Sequence, residues 1–183
     1  MAARVDEIEI RPAEVERDAA LIRSVDTSFE TAAILDVQSD RSGFRLVEKP
    51  VDPPVVKSFP LDDLDGGQEW ESAWLALDGG QAVGVVATQY ERWNRRATVW
   101  HLYVSPSHRA LGIGRLLLET ALAAAREAGA RTAWVETSNL NLPGVRAYER
   151  LGFRLCGLDT SLYHSTPAAG EVALFLCRPL TAG

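Results

Sequence analysis

From residue 70 to residue 136 the chain changes its hydrophobic period twice. Apolar runs over 70–77, 82–90 and 97–104 are each bounded by turn residues. Their length and composition predict three strands; the third carries Val99, Trp100, Leu102, Tyr103 and Val104. Asp78-Gly79-Gly80 divides the first two and is a strong hairpin signal. Asn94 turns the chain into the third, and Pro106 ends it, because proline cannot donate to a sheet ladder. Over 114–128 the period becomes helical. Leu118, Ala121, Leu122 and Ala125 recur on one face, as do Leu117, Ala121 and Ala124. Gly129 suits the left-handed residue after a helix end. The run over 131–136 then returns to strand character, entered in parallel through a right-handed crossover.

The flanks are less regular. A strand is expected over 8–10, stopped by Pro12. Ala19, Ala20, Ile22 and Val25 place a short helix over 18–25, which 29–35 extends or follows. Phe44, Leu46 and Val47 give a strand over 43–47. Prolines 50, 53, 54 and 60 predict an extended loop over 49–60, and DDLDGGQ a polar, flexible one over 62–68. Neither marks a domain boundary, since too little chain precedes them to fold alone. The expectation is one domain over 1–183. Beyond the parallel strand, Pro143 opens a helix with Asn141 just before it. Val145, Tyr148 and Leu151 share a face, and Gly152 ends it. Strands over 153–156 and 172–177 close the chain, joined by a loop that holds Tyr163, His164 and Pro167. The mixture of hairpins and a crossover helix points to an α+β or mixed α/β domain.

Composition narrows the functions. A length of 183 residues supports a sizeable core. The net charge of −6 argues against nucleic acid or an anionic membrane as partner and suits a cationic substrate or a solvated acidic surface. No apolar run approaches the ~20 residues of a membrane span, and the N-terminus has no apolar signal core. Cys156 and Cys177 are expected as buried thiols in a reducing cytoplasm. Three histidines and two cysteines show no zinc-ligand spacing, so no metal is expected.

The chemistry gathers between the third strand and the long helix, at Arg109-Ala110-Leu111-Gly112-Ile113-Gly114-Arg115. A first helical turn leaves backbone N–H groups unpaired and partially positive. Glycines there let a phosphate or pyrophosphate approach. A tight strand-to-helix turn uses the same residues. GxxxxGK[ST] and GxGxxG are both absent, which excludes the ordinary nucleotide P-loop and the dinucleotide fingerprint.

Val104 through Gly114, read as V-x-P-x-x-R-x-x-G-x-G, resembles the acyl-CoA loop of the GCN5-related N-acetyltransferase (GNAT) family. A second block, Glu136-Thr137-Ser138-Asn139-Leu140-Asn141 followed by Tyr148 and Gly152-Phe153, resembles the family's N-x-x-A-x-x-x-Y-x-x-x-G-F pattern, with Gly144 in place of the alanine. The resemblance implies a mixed central sheet of about seven strands with a splayed parallel pair and flanking helices. It implies acetyl-CoA as co-substrate and no metal. Backbone groups of Leu102, Tyr103 and Val104 would pair with the pantetheine arm, and residues 109–115 would hold the pyrophosphate. Asn141 would touch the pantetheine or acetyl end. Tyr148 would lie beside the thioester sulfur and donate to it as it leaves; it also suits a core aromatic. Glu136 matches a position that some members use as general base, and it equally suits a structural strand end. Thr98 stands where other members carry a catalytic glutamate, so that version of the mechanism is not expected. His101 is expected to be packed, His108 solvated, and His164 able to face substrate.

Leu35-Asp36-Val37, Gly43-Phe44-Arg45-Leu46 and VETSNLNLPGVRAYERLGF are similar to the streptothricin-acetylating branch of that family. The branch implies a cationic small-molecule acceptor, acetylated on a β-lysine arm in antibiotic resistance. Asp36, Asp40 and Glu136 would then pair with ammonium groups, and Tyr90 with Trp93 would form an apolar wall. The alternatives are a protein N-terminus or lysine as acceptor, and a non-catalytic acyl-CoA sensor. A homodimer fits the edge strands near the C-terminus.

Overall fold

Gly79 and Gly80 take φ of +55° and +86° and close a two-residue turn with Asp78 opposite Gln81. Only glycine adopts such angles freely, so this hairpin forms where the sequence places it. The computed structural model describes residues 7–61, 64 and 69–180. The expected loop over 62–68 lies, apart from Leu64, outside the described residues. In chain order the elements are β1 (Glu9–Ala13), α1 (Val15–Arg23), β2 (Phe29–Asp40), β3 (Gly43–Lys57), β4 (Ser72–Asp78), β5 (Gln81–Glu91) and β6 (Arg96–Val104). Then come α2 (Ile113–Glu127), β7 (Thr132–Ser138), α3 (Leu142–Arg150), β8 (Arg154–Asp159) and β9 (Ala173–Pro179). A mixed seven-stranded sheet has the order β1-β4-β5-β6-β7-β9-β8 and contains a parallel pair; β2 and β3 form a separate antiparallel ribbon.

Contacts among the described residues gather into two compact units. One ends its first stretch at Ser28, runs through Ser58–Trp134 and resumes at Pro179; the other joins Phe29–Lys57 to Val135–Arg178.

In the first unit α2 lies on β4, β5 and β6. Ile113, Leu117, Leu118, Ala121, Leu122 and Ala125 are its buried face. Each fully buried leucine there is worth about 1.5–3 kcal/mol. The helix comes very close to the sheet at Gly84, where a Cβ would sit 2.9 Å from Leu117 Cδ1 and 3.1 Å from the Tyr103 carbonyl oxygen. On the inner face of α1, Asp18 is only 2% exposed. Arg11 grips it with a two-pronged fork, 2.9 Å to each oxygen, while the Arg17 guanidinium and the Glu14 N–H add bonds of 3.1 and 3.0 Å. The two arginine bonds hold its carboxyl well below the usual range. A lowered carboxylate contributes stability that is complete above its unfolded value, near pH 4, and fades as pH falls below it. Asp18→Ala should cost about 3 kcal/mol in urea unfolding at pH 7, with a smaller deficit at pH 3.

Four local expectations are corrected. Pro12 lies inside β1, opposite Trp74. β1 is the sheet's edge, where a missing N–H costs no ladder bond. The segment expected as a proline loop is most of β3, and 29–35 belongs to a strand of 12 residues rather than a helix. The register of the ribbon jumps from Thr31↔Val55 to Ala33↔Pro50, so Pro53 and Pro54 fall in the irregularity. Cys156 is exposed and Cys177 partly so, both as free thiols. Cys156 lies on β8, the other edge of the sheet.

Candidate active site

In the first unit β6 carries an extra residue against β5. Ala87 pairs with His101 and Thr88 with Val99, which leaves Trp100 as the bulged residue. A bulge bends its strand and re-aims the residues beyond it, here Leu102, Tyr103 and Val104. The chain then makes a 3-10 turn over Pro106–His108. Ala110 has φ +63° and Gly112 φ +88°, and α2 starts at Ile113 without a side-chain N-cap. Left-handed residues next to a helix start turn successive N–H groups toward one side, the geometry of an anion nest. A Cβ built on Gly112 meets nothing within 4 Å, so the space over the loop is open. A pyrophosphate fits these residues.

The loop is firmly tied. Ser105 N–H donates to the Val83 carbonyl at 2.9 Å, and its hydroxyl accepts from Asp26 N–H at 3.2 Å. Arg109 turns back, donating from Nε to the Val104 carbonyl at 2.8 Å and from Nη2 to Ser28 O. Its guanidinium therefore holds the strand end. His108, expected in solvent, pairs through Nε2 with Asp78 Oδ2 at 3.0 Å. His101 is half-buried, its ring 5.7 Å from that of Tyr103. Thr98 is buried on β6. Tyr90 and Trp93 are not brought to the loop. The Tyr90 hydroxyl approaches Gly129, past the C-terminal end of α2, a helix of 15 residues that spans about 22 Å. Trp93 is 85% exposed.

In the second unit the end of β7 and the start of α3 gather polar groups. Asn141 is the N-cap of α3. Its Oδ1 accepts from Gly144 N–H at 3.0 Å, and its Nδ2 donates to Thr137 Oγ1 at 3.0 Å. A Cβ on residue 144 would sit 2.3 Å from Asn141 Nδ2, which gives a steric reason for the glycine here. The Tyr148 ring packs edge-on against Phe153 at 5.5 Å. Burial and then the Glu136 charge push its phenol well above the ordinary value, so the hydroxyl stays protonated. Glu136 Oε1 accepts from the Tyr163 hydroxyl. Burial raises the Glu136 carboxyl; the Tyr163 bond and the Lys57 charge pull it back, and the Glu171 charge raises it again. Lys57 Nζ lies 2.6 Å from both oxygens of Glu171, which also accepts from the Ser138 hydroxyl.

Asn139 ties this arrangement to two strands. Its N–H and Oδ1 bond Val172 at 2.9 and 2.8 Å; its carbonyl and Nδ2 bond Leu35 at 3.0 and 2.8 Å. Asp36 is therefore next to an anchored residue, half-buried, with Gln38 Nε2 3.2 Å away. Asp40 is not brought there: it is exposed at the ribbon tip, where its Oδ1 takes the Ser42 N–H at 2.7 Å and the Ser42 hydroxyl. At about 3.3 Å per residue it lies some 16 Å along β2 from Leu35. His164 is exposed. Sequence alone assigns no role to Lys57, Ser138, Asn139, Tyr163 or Glu171. Ser138 and Asn139 lie inside the block that resembles the family, but nothing in periodicity marks the other three.

Among the described residues no group of three or more histidine, cysteine, aspartate or glutamate side chains could hold a metal ion. No described helix is long and apolar enough to cross a membrane.

A bulged strand, a turn shaped for an anion and a helix start in the first unit, and a half-buried acid and phenol in the second, are features that an acyl-CoA-dependent N-acyltransferase uses. The model of the acetyltransferase (GNAT) family matches residues 42–153, and the chain belongs to that family. It is an acetyl-CoA-dependent N-acetyltransferase. It is 42% identical over 170 residues to a streptothricin acetyltransferase of Streptomyces lavendulae, covering 88% of this chain and 90% of that one. A streptothricin acetyltransferase of Escherichia coli is 28% identical over 80% of this chain and 83% of its own. Among solved structures, a nourseothricin acetyltransferase matches with a TM-score of 0.87 and 41% identity, over 96% of this chain and 99% of that one.

Proposed function

We propose that this enzyme acetylates a primary amine on the β-lysine arm of streptothricin and so confers resistance to that antibiotic. The observation that carries the reading is the 42% identity, over nearly the whole of both chains, to the Streptomyces lavendulae enzyme. The half-buried acids of the second unit, Asp36 and Glu136, support it, because they suit an ammonium acceptor.

Acetyl-CoA supplies an acyl carbon on a thiolate leaving group. The N–H groups over 110–115, with Arg115 beside them, bind the pyrophosphate, and the backbone of Leu102, Tyr103 and Val104 pairs with the pantetheine amides. Asn141 fixes the first turn of α3, the helix that carries Tyr148. An alkyl ammonium has a pKa about three units above neutrality, so roughly one molecule in a few thousand is the free amine. Glu136, its carboxyl raised by burial and bonded by the Tyr163 hydroxyl, takes the proton that the nitrogen must lose. Tyr148, locked in its protonated form, donates to the sulfur as charge builds there. Asp36 contributes a carboxylate to a second ammonium of the substrate.

Thiol release from acetyl-CoA, measured with streptothricin, simple diamines and short peptides, tests this. Rapid release with streptothricin and little with peptides is expected. Release with peptides alone would replace the acceptor, and tight acetyl-CoA binding without release from any amine would favour a sensor.

A further inference from the structure

The loop over 160–172 has no part in the chemistry of acyl transfer itself, yet it delivers a hydroxyl to Glu136. It is pinned at both ends. At its start Asp159 Oδ1 accepts from Ser161 N–H at 2.7 Å, from the Ser161 hydroxyl at 2.7 Å and from Leu162 N–H at 3.1 Å. Inside it, the N–H groups of His164 and Thr166 each close a turn at 3.0 Å, onto Ser161 and Tyr163. At its end Val172 is clamped by Asn139 and Glu171 by Lys57 and Ser138. A side chain on so fixed a segment loses little further entropy when it is aimed.

Tyr163 is that side chain. Its hydroxyl donates to Glu136 Oε1, one of the two carboxylate oxygens. The groups facing Glu136 come from four places: Lys57 at the end of β3, Tyr148 on α3, and Tyr163 and Glu171 at either end of the loop. Three of them act in opposite senses. Glu171 makes a second negative charge costly, whereas Lys57 and the Tyr163 hydroxyl favour the ionised carboxylate. A base buried without such donors would hold its proton near neutral pH and have nothing to accept it with.

We infer that Tyr163 is a positioning residue for proton transfer: it fixes Glu136 through Oε1 and presents Oε2 to the acceptor's amine, with Lys57 and Glu171 balancing the charge around it. This rests on Glu136 being the proton acceptor. Tyr163 itself need not touch substrate.

The pH profile of kcat/KM for the acceptor, divided by the free-amine fraction measured in solution, tests the proposal from pH 5 to 9. The amine used is whichever one the wild-type enzyme turns over. Tyr163→Phe removes only the hydroxyl. It should move the acid limb upward by about half a unit or more, so that the deficit is about threefold or more low on that limb and shrinks to within about twofold at pH 9. The KM for acetyl-CoA should not move. Lys57→Gln should shift the limb in the same direction, and Glu171→Gln downward. A structural role would lower activity equally at every pH. A pH-independent deficit in Tyr163→Phe, no deficit, or shifts of one sign for Lys57→Gln and Glu171→Gln would each overturn the inference. Glu136→Gln separates the two claims. If it leaves the limb in place, the base assignment fails and takes this inference with it. If it abolishes the limb while Tyr163→Phe leaves it unmoved, Tyr163 alone is refuted.

Discussion

Gly112→Asp is expected to weaken acetyl-CoA binding at least about a hundredfold, a loss near 2.8 kcal/mol. Two effects combine. Residue 112 has φ +88°, where an L side chain is strained. Its Cβ would also point into open space over the turn, so a carboxylate would stand where the pyrophosphate is proposed to lie. Gly112→Asn separates these contributions. Asparagine tolerates the left-handed region and has nearly the same size but no charge, so it should cost about tenfold or less. Isothermal titration with acetyl-CoA reads both variants. Equal losses for Asp and Asn would mean that backbone strain alone is at work and that no anion binds there.

Tyr148→Phe should lower kcat at least about tenfold, or about 1.4 kcal/mol of barrier, with little change in either KM. The ring's edge-on contact with Phe153 survives the substitution, so the fold should not suffer. Because burial keeps the phenol protonated, the loss should be the same across pH 6 to 9. That flat profile distinguishes a donor to sulfur from a residue that acts by titrating. An unchanged kcat would remove Tyr148 from the chemistry.

The sequence was most informative where local rules suffice. The hairpin at Gly79-Gly80, the buried face of α2 and the stop at Gly152 each depend on residues adjacent in the chain, and each appears as expected. The loop over 109–115 has the backbone form that its glycines suggested. β3 was hidden, because proline rules describe strands paired on both sides. A ribbon of two strands can carry Pro50 at its register break and Pro53 and Pro54 within it. The polar cluster was hidden for another reason. Tyr163 lies 27 residues from Glu136, and Lys57 lies 114 residues from Glu171. No period or motif joins positions so far apart, and only the folded chain brings them together. Tyr90 and Trp93, expected as an aromatic wall, sit at a strand end that has two possible neighbourhoods, and the Tyr90 hydroxyl approaches Gly129. These residues lie toward the finish of α2, not toward its start.

The 15-residue β3 has one side occupied by β2, and the sheet order pairs its other side with no strand among the described residues. Long open edges invite a neighbouring molecule to add its own strand, which is how many soluble chains begin to precipitate. Here Arg45, Glu48 and Lys49 place charges along that edge, and three prolines interrupt its supply of N–H donors. The residues that obscured the strand from sequence rules therefore make it a poor template for growth, which should help the protein stay dispersed at high concentration.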